Sequence, residues 1–160
     1  ILLMNIVEKF INIIGKYISY LIPLMTLLMI IVIVSRYFLG IGQTGLQELV
    51  MYFHALVFLG CAGYAFNKDE HVRVDIFYRD ASDKYKNVIN LIFGVIFLLP
   101  VTFIIVFYSI ELISMSWKIR ETSTEAGGLG YVFIQKTFIF LFPITLFAAF
   151  INQLIKIIWK

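Results

Sequence analysis

Charge, cysteine and histidine are all scarce in this sequence, and each scarcity removes a class of protein. Only 14% of the residues are charged and 61% are hydrophobic, with 16 Phe. A soluble domain is roughly 45–50% apolar, with its apolar residues interrupted every few positions, so a soluble globular domain is excluded. The single cysteine, Cys61, lies inside an apolar run and has no partner for an intrachain disulfide. It is expected as a small buried helix residue. The two histidines, His54 and His71, stand seventeen positions apart, the second beyond the end of the same predicted helix. That spacing does not set two imidazoles on facing helices for a haem. No Cys/His/Asp/Glu cluster has metal-ligand spacing. "EAGGLG" at 125–130 lacks the Lys-Ser/Thr of a phosphate loop and is expected as a flexible external connection. No nucleophile–base pair is recognisable, so no catalytic, substrate-binding or metal-ligating residue is predicted, and no cofactor.

What is present is long apolar runs, in a chain of mean hydropathy +0.94. A helix crosses a bilayer in about 20 residues, and four runs reach that length. They cover about 17–39, 46–66, 88–117 and 131–158. The fold class is therefore an all-α integral membrane protein, one membrane domain over 1–160. The alternating ~10-residue segments of a membrane β-barrel are absent. The third run would be roughly 45 Å long as a helix, against about 30 Å of hydrocarbon. It contains Pro100 and should tilt or kink. Before the first span, Asn5, Glu8, Lys9, Asn12 and Lys16 recur at helical spacing, which predicts an amphipathic interfacial helix over about 4–16. It lacks the basic start and the cleavage site of a signal peptide.

The cations lie outside the apolar runs, which is a topology signal rather than a nucleic-acid footprint. Nine lie on one side of the four spans: Lys9, Lys16, Lys68, Arg73, Arg79, Lys84, Lys86, Lys156 and Lys160. Four lie on the other: Arg36, Lys118, Arg120 and Lys136. The positive-inside rule then predicts both termini and the 67–87 loop in the cytoplasm.

Several polar residues stand out against this background. Arg36 closes the first span and Glu48 opens the second across "GIGQTG". They are expected as an ion pair tying the two spans or reaching a partner helix, or else as independent snorkelling side chains. Glu48, Tyr52, Ala55, Leu59, Ala62, Gly63 and Phe66 form one stripe of the second helix. Its small residues would let another helix approach, in this chain or in a partner. His54 is expected as a packing or hydrogen-bonding residue. In "SWKIRETSTE" (116–125) Trp117 suits a membrane interface, and Glu121 to Ser123 would cap a helix or contact a partner. "HVRVDIFYRD" (71–80) read as a helix aligns His71, Asp75 and Arg79. Arg73 and Asp75 are expected as a loop-ordering pair or as partner contacts, and Asp80 or Ser82 as the following N-cap. No span has a charged residue at its centre, where ion-coupled transporters keep their sites. The chain is not expected to drive transport alone.

The ordered set "RYF" (36–38), Glu48, "FLG" (58–60), "HVRVD" (71–75) and "SW…ETS" (116–123) resembles the small four-helix membrane subunit of tripartite ATP-independent periplasmic (TRAP) transporters, over nearly the whole chain. Arg120 departs from the pattern, since the resemblance leads one to expect glycine there, and this bears on the local loop shape. The resemblance implies a non-catalytic subunit of the bacterial inner membrane. Its partners would be a large multi-span subunit, which carries substrate and sodium, and a periplasmic substrate-binding protein. The cargo would be an organic acid, of the C4-dicarboxylate or sialic acid type. Arg36, Glu48, Tyr52, Gly63, His71, Arg73 and Asp75 become candidates for the subunit interface or for structural roles. Trp117, Glu121 and Ser123 become candidates for docking the binding protein. Two alternatives stand beside it. A small homodimeric multidrug exporter needs a carboxylate within the membrane, whereas Glu48 and Glu111 lie near span ends. A haem-bearing membrane anchor needs the missing second histidine.

Overall fold

The computed structural model describes residues 2–68 and 80–158, and every regular element among these is helical. In chain order they are α1 (Leu2–Ser19), α2 (Leu21–Phe38), α3 (Thr44–Gly60), α4 (Ala62–Asn67), α5 (Asp83–Phe93), α6 (Leu99–Ile119), α7 (Val132–Thr137) and α8 (Leu141–Ile158). A π-helical turn, Gly94–Leu98, joins α5 to α6, and a 3-10 turn, Phe138–Phe140, joins α7 to α8. Among the described residues four continuous stretches are long and apolar enough to cross a membrane: Val7–Phe38, Thr44–Asn67, Asp83–Ile119 and Val132–Ile157.

The irregularities have local causes. Pro100 cannot donate to the preceding turn, and the helix widens just before it, where the Leu99 N–H reaches back to the Gly94 carbonyl. That is the five-residue spacing of a π turn. Ahead of Pro143 the backbone tightens instead, the Leu141 N–H bonding the Phe138 carbonyl. Pro23 falls in the first turn of α2, where backbone N–H groups have no intrahelical acceptor, so its missing donor costs little. Ser82 is the N-cap of α5, its hydroxyl accepting from the Tyr85 N–H at 3.4 Å. Of the two expected caps, it is the one used.

α8 is the centre of the assembly and packs against α1, α3, α4 and α6. Its Ala149 and Phe150 are 0% and 1% exposed. Two glycines set the closest approaches. A Cβ on Gly63 would stand 2.6 Å from the Thr145 carbonyl carbon, so α4 and α8 cross with backbones nearly touching. There the Gly63 N–H donates to Thr145 Oγ1 at 3.3 Å. The Phe150 ring occupies the space a Cβ on Gly94 would need. The small stripe of the second span is thus consumed, at Gly63, by packing within the chain. Outside this core the apolar side chains face outward: Phe103 is 70% and Tyr108 72% exposed. In water such a surface would be untenable, whereas lipid tails or a neighbouring helix cover it without cost.

The polar row of α1 is split rather than uniformly outward. Glu8 pairs with Lys156 at 2.7 Å and Asn12 is half-buried, while Lys9 and Lys16 stay exposed. Phe10, Ile13 and Tyr17 are exposed beside the two lysines. Packing on α8 recruits the polar side chains that a free surface helix would have left to water.

Candidate functional site

A cluster of side-chain hydrogen bonds lies at the end of the bundle where α2, α3, α6 and α7 meet the segment 120–131. α6 ends in a left-handed residue, Arg120, at φ 47° and ψ 57°, the one non-glycine with positive φ among the described residues. The Arg120 N–H bonds the Trp117 carbonyl at 3.3 Å, and the Glu121 N–H bonds the Ser116 carbonyl at 3.0 Å. These two bonds make a Schellman closure, whose left-handed position glycine normally fills. The departure at Arg120 therefore sits where a side chain is least welcome.

Past that closure the loop is ordered. The Ser123 N–H donates to the Leu129 carbonyl at 3.0 Å, the Glu125 N–H to Ser123 Oγ at 3.1 Å, and the Gly128 N–H to the Glu125 carbonyl at 3.0 Å. Its anchor is Glu48, in the second turn of α3. One carboxylate oxygen accepts from the Ser123 hydroxyl and the other from the Leu129 N–H at 2.6 Å. Gly128 must lack a side chain, since a Cβ there would overlap Ser123 and stand 2.8 Å from Glu48 Oε1. "EAGGLG", expected as a flexible connection, is instead tied to the start of the second span.

A second set of bonds ties α6 to α7. Lys136 Nζ lies 2.5 Å from Glu121 Oε2, and the Trp117 indole N–H donates to Thr137 Oγ1 at 2.9 Å. The Trp117 ring meets Phe133 edge-on at 4.8 Å. Beside Glu121 the Lys136 ammonium holds its carboxyl below the usual carboxylate range.

The expected Arg36–Glu48 ion pair is not formed. The Arg36 guanidinium donates to Gln47 Oε1 at 3.2 Å, still linking α2 to α3, while Glu48 is turned to the loop. A backbone N–H and a hydroxyl supplied from the 121–130 segment satisfy the carboxylate at fixed positions. The long guanidinium therefore settles on the amide next to it. Arg36 and Glu48 nonetheless line one cavity of about 410 Å³, together with Thr44, Gln47, Tyr52, Glu125 and Gln135. Tyr52 is buried and its hydroxyl has no hydrogen-bond partner. His54 is exposed and stacks on Phe58 with ring centroids 6.3 Å apart. Cys61 is a free thiol at the break between α3 and α4, its Sγ 3.6 Å from the Gly15 carbonyl.

Three site expectations, His71, Arg73 and Asp75, lie outside the described residues. Trp117, Glu121 and Ser123, expected to meet a partner, have their polar groups engaged within the chain. Gln47, Leu129, Lys136 and Thr137 were not singled out. Lys136 and Thr137 carry a weak sequence signal as polar residues opening an apolar run. Leu129 acts through its backbone and carries none.

Among the described residues no group of three or more His, Cys, Asp and Glu could hold a metal ion. The arrangement defines a class: a small helical membrane protein whose polar groups brace one end of the bundle. Residues 25–159 match the family described as tripartite ATP-independent periplasmic transporters, DctQ component, and the chain belongs to that family. It is thus a small membrane subunit of a TRAP transporter. No curated protein and no solved structure matches it.

Proposed function

We propose that this chain is the non-catalytic scaffold subunit of a sodium-driven uptake system for organic acids, of the C4-dicarboxylate or sialic acid type. A large multi-span subunit carries the substrate and the sodium ions, and a periplasmic binding protein delivers the cargo. The observation that carries this reading is the placement of polarity. The charge pairs Glu8–Lys156 and Glu121–Lys136 and the Glu48 contacts lie at helix ends, and, Glu111 of α6 apart, the middles of the spans present mainly apolar surface outward. That is a body built to be packed against, not a path for an ion.

The braced end, with the loop around Glu48, then faces the periplasm, and Trp117, Glu121 and Ser123 hold the shape offered to the binding protein. Both termini lie in the cytoplasm, which the excess of Lys and Arg at the opposite end supports. α1 lies at the inner membrane surface. A 32-residue stretch such as Val7–Phe38 spans about 48 Å as helix, more than the hydrocarbon accepts, and exposed Lys9 and Lys16 beside Phe10 and Tyr17 suit headgroups.

Co-expression with the adjacent large permease tests this. The two chains should co-purify, and liposomes should take up an organic acid under a sodium gradient only when both are present with the binding protein. Uptake by this chain alone, or full uptake by the large chain without it, would overturn the reading.

A further inference from the structure

The cavity beside Arg36 adjoins a second one. Two of its lining residues, Met51 and Gln135, also line a larger groove of about 670 Å³ between α2 and α3. The groove continues along Met25, Met29, Ile30, Val50, His54 and Ala55. From Arg36 to Met25 along α2 is eleven residues, or about 16 Å, roughly one leaflet of a ~30 Å hydrocarbon core. The polar end and the groove adjoin at Met51 and Gln135, with hydrogen-bonding groups at the mouth and a channel leading inward that is apolar but for the His54 imidazole. The Thr26 hydroxyl is returned to its own helix, on the Ile22 carbonyl at 3.0 Å, so it adds no polarity to the channel.

We propose that this feature is a binding site for one zwitterionic phospholipid of the phosphatidylethanolamine class. The charges at its mouth argue for that headgroup. Arg36 is exposed and keeps guanidinium donors beyond its bond to Gln47, which suits a phosphate. Glu48 is committed to Ser123 and Leu129, whereas Glu125 at the rim is exposed and suits an ammonium. A purely anionic headgroup would meet two carboxylates and one cation. Gln135 lines both cavities, and its amide offers a hydrogen bond to an ester group between headgroup and chain. Tyr52 lines the polar part, and its hydroxyl, buried and without a protein partner, gains an acceptor in an ester or phosphate oxygen once the ring turns toward the cavity. An acyl chain fills the run past Met29. The inference requires only that the chain spans a bilayer, so it stands or falls apart from the transported substrate.

The test uses the assembled transporter in lipid discs holding equal phosphatidylethanolamine and phosphatidylglycerol, extracted into mild detergent for native mass spectrometry. One phosphatidylethanolamine should be retained per copy of this chain, about tenfold enriched over phosphatidylglycerol. Arg36→Gln and Glu125→Gln should each lower that retention about tenfold. Met29→Trp, which fills the groove and leaves the polar end intact, should do the same, and it carries the test if Arg36→Gln prevents assembly. A photoreactive side chain at position 29 in native membranes should label lipid. Retention unchanged in the variants, equal retention of the two lipids, or a crosslink from position 29 to another protein helix would overturn the proposal.

Discussion

Replacing Gly63 with alanine adds one methyl group at the point where α4 and α8 come closest. On an unencumbered helix the change would stabilise by about 1 kcal/mol, because alanine is the better helix former. Here the new carbon would lie 2.6 Å from the Thr145 carbonyl carbon and 2.8 Å from its Cβ. Carbon atoms prefer about 3.5–4.0 Å, so the helices must part by about 1 Å. Overpacking of this kind costs about 1–3 kcal/mol. The separation also breaks the bond from the Gly63 N–H to Thr145 Oγ1, about 1 kcal/mol more. The net expectation is a loss of about 2 kcal/mol, or roughly 4–8 °C in Tm for a chain of this size, read by thermal unfolding in detergent. Because the clash is with backbone, Thr145→Ala should not rescue it. A Tm equal to or above the wild type, or rescue by Thr145→Ala, would refute the reasoning.

Arg120→Gly relieves a left-handed side-chain conformation worth about 1–2 kcal/mol. It also loosens the unfolded chain by about 0.4–1 kcal/mol, so Tm should rise by a few degrees. Glu48→Gln keeps one acceptor and loses the charge and the second; hydrogen exchange at the Leu129 and Ser123 amides should accelerate while the rest of α3 is unchanged. Glu121 has a folded-state pKa below its unfolded value, so its contribution is full above the unfolded pKa and fades as pH falls through the folded one. The Tm difference between wild type and Glu121→Gln should therefore be present at neutral pH and vanish in acid.

How much of this was legible in the sequence depended on the range of the contacts involved. The membrane class and the number of long apolar helices follow from run length alone, and the Ser82 cap from a local pattern. The partner of Glu48 does not. Pairing it with Arg36 across a six-residue loop was the local solution, but its ligands sit 75 and 81 positions away. The division of the α1 polar row has the same origin, because Lys156 lies at the far end of the chain. Arg120 is an intermediate case: its mismatch with the family pattern was visible, and its left-handed backbone explains why glycine is the residue expected there.

The π turn at Gly94–Leu98 has a consequence for the chain's tolerance to length change. Gly94 and Thr102 are both buried, eight positions apart. In an uninterrupted α-helix that spacing would set them about 80° apart; absorbing one extra residue in the π turn brings them to within about 20°. The turn thus works as a phase shifter within the 37-residue helix, keeping Gly94 at its start and the buried face of α6 both turned to α8. Removing a single residue from 94–98 would rotate α5 about 100° relative to α6 and carry Gly94 away from the Phe150 ring. A one-residue deletion in this turn is therefore expected to be more damaging than substitution of its exposed side chains.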